Sequence, residues 1–187
     1  MAQHIMDMVL EYAKVFPENA DMGNPEGPKA AQAVHEKGGQ YIINAYFTDA
    51  KQIDELIEAG LDPKPMNSNR ILDGNKDYGI GKYMKIRRLV SDKKQFNDRK
   101  TGEPVEIDYG GAPVVKNLTE GHENKRDWDL EEDGYIGNGS SAKVHFDVYA
   151  QGAGVRLMGV AVTDLVPFET INLQPEGIEI FLEGQEA

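Results

Sequence analysis

The chain contains no cysteine. That excludes disulfides, thiolate metal sites and a cysteine nucleophile, and it is compatible with a reducing compartment. Long apolar runs are also missing: no stretch approaches the roughly 18 residues that cross a bilayer as a helix. The start, Met1-Ala2-Gln3-His4, has no basic segment followed by an apolar one. A cytoplasmic protein is expected, so Asn117-Leu118-Thr119 and Asn138-Gly139-Ser140 are not read as glycosylation sites. Positive charge is scarce too, with 20 Lys and Arg against 32 Asp and Glu for a net charge of −12, and neither Lys nor Arg follows Arg156. Such acidity argues against tight, indiscriminate binding to duplex DNA but leaves room for a basic groove on one side.

The positive charge that exists is concentrated. Residues 82–100 carry eight Lys and Arg against two acids, Asp92 and Asp98. At the two-residue period of a strand, Tyr83, Lys85, Arg87 and Leu89 share one face, while Met84, Ile86 and Arg88 share the other. A ring set among cations suits a phosphate backbone whose bases stack on it. The same pattern also describes an edge strand that its charges protect against aggregation. The phosphate-tracking candidates are Lys82, Lys85 and Arg87 together with Lys93, Lys94, Arg99 and Lys100 of the following polar loop, 91–101. Tyr83 and Phe96 are the stacking candidates.

The 187 residues are 40% apolar and include 20 glycines and 9 prolines, which fits one turn-rich globular domain with a tail. Residues 8–16 suit an amphipathic helix and a strand equally. The segment 17–39 is expected to be a long loop with at most one helical turn over 29–35. A strand at 41–47 precedes Thr48-Asp49, a helix N-cap, and Gly60 stops the short helix that follows. Residues 61–81 are again loop. Thr101-Gly102 marks a hairpin tip with 104–109 as its returning arm, 113–118 is a short strand, and the charged stretch 119–133 is exposed or mobile.

Further on, Ala142, Val144, Phe146 and Val148 alternate with Lys143, His145, Asp147 and Tyr149, a strand with one solvated face. This makes Lys143, His145 and Tyr149 a second candidate surface, with Arg156 beyond it. Residues 154–168 are apolar on both faces and belong mid-sheet. Five or six strands, one short helix, long loops and glycine-marked corners predict a mainly β, OB-fold-like Greek-key barrel. It would span 1–170, followed by an acidic C-terminal extension, 171–187.

Other signals carry little chemistry. Asp129-Leu130-Glu131-Glu132-Asp133-Gly134 begins like a calcium loop, but position twelve is Ser140 rather than a bidentate Glu. The glycine-rich 134–141 has neither the P-loop ending nor the dinucleotide order of glycines. His4, His35, His122 and His145 lack metal-ligand spacing. Trp128 and Tyr135 flank acids that repel phosphate. No catalytic residue, metal or cofactor is expected.

One family does come into view. Gly134-Tyr135-Ile136-Gly137-Asn138-Gly139-Ser140-Ser141-Ala142-Lys143-Val144, continuing into 154–168, resembles the end of the barrel in bacteriophage single-stranded DNA-binding proteins. Val15-Phe16-Pro17, Gly39-Gln40-Tyr41 and Phe47-Thr48-Asp49 resemble that family's first hairpin and the start of its helix, which favours a strand for 8–16. The resemblance implies a non-enzymatic protein that coats single-stranded DNA in replication, recombination or repair. It also implies protein partners reached through an acidic tail, and a homo-oligomer is a further expectation. The tail here departs from that pattern: Ile178, Ile180, Phe181 and Leu182 separate its acids, and the chain closes Gln185-Glu186-Ala187. Two rivals come from other classes, an adaptor whose basic loop meets an acidic protein and a metal-dependent hydrolase using carboxylates of 127–133.

Residues 157–187 hold six acids and no base, so the tail is expected to compete with DNA as a tethered polyanion. Deleting 171–187 should tighten binding to oligo-dT at low salt, with the gain shrinking as salt rises. Loss of thermal stability without tighter binding would instead make Ile178, Ile180 and Leu182 a final strand.

Overall fold

A computed structural model describes residues 2–168; the proposed tail, 171–187, lies outside them. In chain order the elements are β1 (Ala2–Lys14), α1 (Lys29–Glu36), β2 (Gln40–Phe47), α2 (Ala50–Glu58), β3 (Ile71–Asp73), β4 (Lys82–Leu89), β5 (Lys93–Asn97) and β6 (Pro104–Asp108). They continue with β7 (Val114–Asn117), β8 (Arg126–Asp127), α3 (Leu130–Asp133), β9 (Ser140–Tyr149) and β10 (Gly154–Asp164).

Strand β1 resolves the ambiguity of 8–16. Met6, Met8 and Leu10 are buried while Gln3, Ile5 and Asp7 face out, so its apolar period is two. It pairs antiparallel with β9 over Ala2–Leu10 and with β2 from Met8 onward. A register shift between Glu11 and Lys14, with Tyr12 at φ 50°, bends it; such bulges let one strand serve two partners around a corner. β2 pairs with β4, and β9 with β10. The ring closes where β10 meets β4 in parallel at Arg156 and Arg87. The circuit β1-β2-β4-β10-β9 closes a barrel, and the fold is mainly β as expected. β3 extends the wall beside β4, and β7 and β8 extend it beside β10. β5 and β6 form a separate two-stranded sheet.

The inward residues of all five barrel strands meet in one core: Met8, Leu10, Ile43, Phe47, Met84, Ile86, Phe146 and Leu157 are buried, and Leu56 of α2 joins them. Each such side chain contributes about 1.5–3 kcal/mol by leaving water. Helix α2 starts as the sequence predicts: the Asp49 carboxylate accepts from the Lys51 amide at 2.9 Å, and the Gln52 side chain returns to the Asp49 amide at 3.4 Å. Its C-terminal end is fixed to the turn after β9. The Asp62 amide donates to the Gly152 carbonyl at 3.0 Å, and a Cβ on Gly152 would stand 1.9 Å from the Gly60 oxygen.

Several expectations change. The barrel keeps three α-helices among the described residues rather than one, because α1 runs two turns and α3 adds a single turn. Part of 61–81 becomes β3, and the polar loop 91–101 contains β5. The stretch 119–133 is largely exposed, yet Trp128 and Leu130 pack against the core, and the Trp128 indole donates to the Gly134 carbonyl at 2.9 Å. Arg126 grips Asp133 with two hydrogen bonds of 2.6 and 2.8 Å. That pair is the leading reason the Asp133 pKa falls from 3.8 to about 2. The folded carboxyl therefore binds its proton less readily than the unfolded one. The resulting stability is complete above about pH 4 and is lost as pH falls toward 2. Replacing Arg126 with Ala should raise the Asp133 titration midpoint, read by carboxyl NMR, and move acid unfolding to higher pH.

Candidate nucleic-acid interface

Burial of Met84 and Ile86 inside the barrel sends Lys85 and Arg87 outward, as strand alternation requires. Arg88, of the opposite parity, is spent on structure. Its guanidinium donates to the carbonyls of Gly110 and Gly111 at 2.9 Å each and to Leu157 at 3.4 Å. Burial, and then the nearby Arg156, lower its pKa below the ordinary arginine value. It pins the foot of the β5–β6 hairpin to the barrel.

A groove of about 540 Å³ opens beside the seam between β4 and β10, lined among others by Met66, Arg70, Lys85, Arg87 and Tyr149. Arg70 donates to the carbonyls of Asp62 at 3.1 Å and Ala153 at 2.6 Å. Burial lowers its pKa; Asp62 opposes that shift and Arg87 adds to it. Arg156 stands opposite Arg87 across the seam. Its guanidinium carbon lies 4.5 Å from the ring centre of Tyr149 and 5.1 Å from that of Tyr109, both within cation–π range. Among the described residues, no carboxylate forms a salt bridge with Arg70, Lys85, Arg87 or Arg156. In a protein of charge −12, this is a cluster of cations with two acids near it, Asp62 by Arg70 and Asp147 opposite Arg156 on β9, and no salt bridge to either.

The other candidates distribute unevenly. Lys82 pairs with Asp73 at 2.7 Å. The Tyr83 ring lies 5.0 Å from Tyr46, which meets Tyr78 edge-on at 5.4 Å, so protein already covers part of Tyr83. Lys93 and Lys94 face Glu106 at 3.9 Å and Asp92 at 3.3 Å. Phe96, Arg99 and Lys100 line a shallow hollow at the hairpin tip. Lys143 pairs with Asp7 at 3.0 Å, and His145 bonds Gln3 at 3.1 Å. Those two residues line a different hollow with Ile5, Val114 and Lys116. The structure thus separates them from Tyr149, which joins Arg87 and Arg156.

No protein-family model matches the chain, and no curated protein matches it. Among solved structures, the chain is similar to the single-stranded DNA-binding protein from bacteriophage Enc34, with 15% identity and a TM-score of 0.43 over 93% of this chain and 87% of that one.

Arg70 in the groove and Tyr109 beside Arg156 escaped sequence reasoning. Arg70 lies in a stretch that reads as loop, with no periodicity to aim it. Tyr109 follows the returning hairpin arm, where its parity with Val105 and Ile107 was the available signal. The carboxylates offered as metal ligands have other duties. Asp127 pairs with Lys116, Asp129 caps α3 by accepting from the Glu131 amide, and Asp133 holds Arg126. Among the described residues, no group of three or more His, Asp or Glu is gathered to hold a metal ion. No helix among them is long and apolar enough to cross a membrane.

Proposed function

We propose that the chain binds single-stranded DNA largely without regard to sequence, as a coating and protecting protein of phage replication, recombination or repair. The observation that carries this reading is the pairing of Arg87 with Arg156 across the barrel seam, neither of them in a salt bridge among the described residues, with Tyr109 and Tyr149 beside Arg156. Like charges set directly opposite destabilise a sheet, so the arrangement makes sense where a polyanion neutralises it. Lys85, Arg87 and Arg156 follow the phosphates and Tyr149 offers a stacking face beside them. Contacts of these kinds hold backbone and ring faces rather than base edges, which is why they read little sequence.

Fluorescence titration with oligo-dT at several salt concentrations tests the proposal. Each phosphate neutralised on a single strand contributes a slope of about −0.7 in log K against log salt. Three phosphate-following cations, Lys85, Arg87 and Arg156, therefore predict a slope of about −2.1 or steeper. Absence of binding at low salt would overturn the proposal, and magnesium-dependent cleavage of the oligonucleotide would replace it with the hydrolase.

A further inference from the structure

We propose that the β5–β6 hairpin makes this site choose unpaired over paired strands, by stacking bases on the face formed by Phe96, Ile107 and Tyr109; this rests on the DNA-binding reading above. Among the described residues β5 and β6 pair only with each other, and an isolated two-stranded hairpin is marginally stable at best in water. The register sets Phe96 opposite Val105 and Lys94 opposite Ile107. The Tyr109 amide extends the ladder to the Asp92 carbonyl at 2.9 Å. Phe96, Ile107 and Tyr109 therefore share one face with Lys94, since directly opposed residues point the same way.

The two faces differ in kind. On the polar face Glu106 accepts from Gln95 at 3.2 Å, and Asp108 accepts from the Asp92 and Gly110 amides at 2.7 and 2.9 Å. On the other, Phe96 is 45% exposed and Ile107 and Tyr109 are 37% exposed each. That face is apolar, open and continuous with the arginine cluster, because Arg156 lies over both Tyr109 and Tyr149. Arg88 fixes its foot through Gly110 and Gly111.

Cations decide the occupant. Lys94 shares the face but is held by Asp92 at 3.3 Å, whereas Arg99 and Lys100 at the tip form no salt bridge among the described residues. A flat apolar surface set among cations suits bases tethered to phosphates. Duplex DNA offers the same phosphates but keeps its base faces stacked inside the helix. The cations attract both forms, whereas the ring face engages only the unpaired one.

The experiment compares dissociation constants for oligo-dT and for a duplex of equal length at one salt concentration, using the full chain and its variants Phe96→Ala and Tyr109→Ala. Each variant is expected to lose about 5- to 150-fold on oligo-dT, the range of one base–aromatic stack. For Phe96→Ala, which removes no cation and no partner of Arg156, duplex affinity and the salt slope should stay as in the wild type; Tyr109→Ala is read for its oligo-dT loss alone, because Tyr109 also holds Arg156. Phe96→Tyr, which keeps a ring, should retain the preference, and melting curves show that the variants are folded. Equal losses on both nucleic acids for Phe96→Ala, or unchanged oligo-dT affinity in folded variants, would overturn the hairpin's role while leaving DNA binding standing. A wild-type chain that binds neither nucleic acid would overturn the DNA-binding reading itself.

Discussion

Replacing Arg87 and Arg156 together with Gln will weaken oligo-dT binding on the order of 10²- to 10⁴-fold, at about 1.5–3 kcal/mol for each charge-assisted hydrogen bond. It will also make the salt dependence shallower by about 1.4, at about 0.7 for each phosphate that is no longer neutralised. The two single variants will part company in stability. Arg87→Gln removes a like-charge opposition across the seam and should leave the free protein as stable as the wild type or slightly more so, within roughly 1 kcal/mol. Arg156→Gln removes the same repulsion but also the cation–π interactions with Tyr109 and Tyr149, each worth about 0.5–1 kcal/mol at an exposed site. Its melting temperature should fall below that of Arg87→Gln. Titrations at two salt concentrations and paired melting curves measure all of this. An unchanged salt slope in the double variant would show that these arginines do not meet phosphate.

The barrel core sets the other large effect. Phe146 is fully buried in β9 and stacks on His4, with ring centres 5.5 Å apart. β9 joins β1 to β10, so the ring of strands depends on it. Phe146→Ala should cost about 3–5 kcal/mol, a large share of the roughly 5–15 kcal/mol that holds a domain folded. At about 2–4 °C per kcal/mol for a chain of this size, the melting temperature should drop by about 6–20 °C. Urea unfolding would check it, and a destabilisation below about 1 kcal/mol would mean that the site refills from neighbouring side chains. Arg156 and Tyr149 sit on the same two strands, so DNA binding should fail in step with unfolding and not before it.

Features that follow local rules were legible in the residues alone. Alternation in β4 and β9 told which residues face out, because side chains switch sides at every step of a strand; Asp147 is the exception, of outward parity yet buried. Asp49 announced α2, because a carboxylate at that position satisfies a free amide of the first turn. The alternation of 142–149 distinguished Val144 and Phe146 from Lys143 and His145. Shared parity, however, says nothing about distance. Lys143 and Tyr149 lie six positions apart on one strand, about 20 Å at about 3.3 Å per residue, and they serve different hollows.

Which outward residues become neighbours depends on how the barrel closes. β3 is too short to show a period and is a strand because β4 offers it partners. Arg156 meets Arg87 because the barrel closes in parallel between strands remote in sequence, and Arg70 enters the groove from a loop held by the carbonyls of Asp62 and Ala153. The hairpin's apolar face meets Arg156 because Arg88 fixes its foot and Arg156 covers Tyr109. Each of these depends on chain closure over long separations, whereas hydrophobic alternation is written between adjacent residues; the strands were therefore legible one by one and the interface they compose was not.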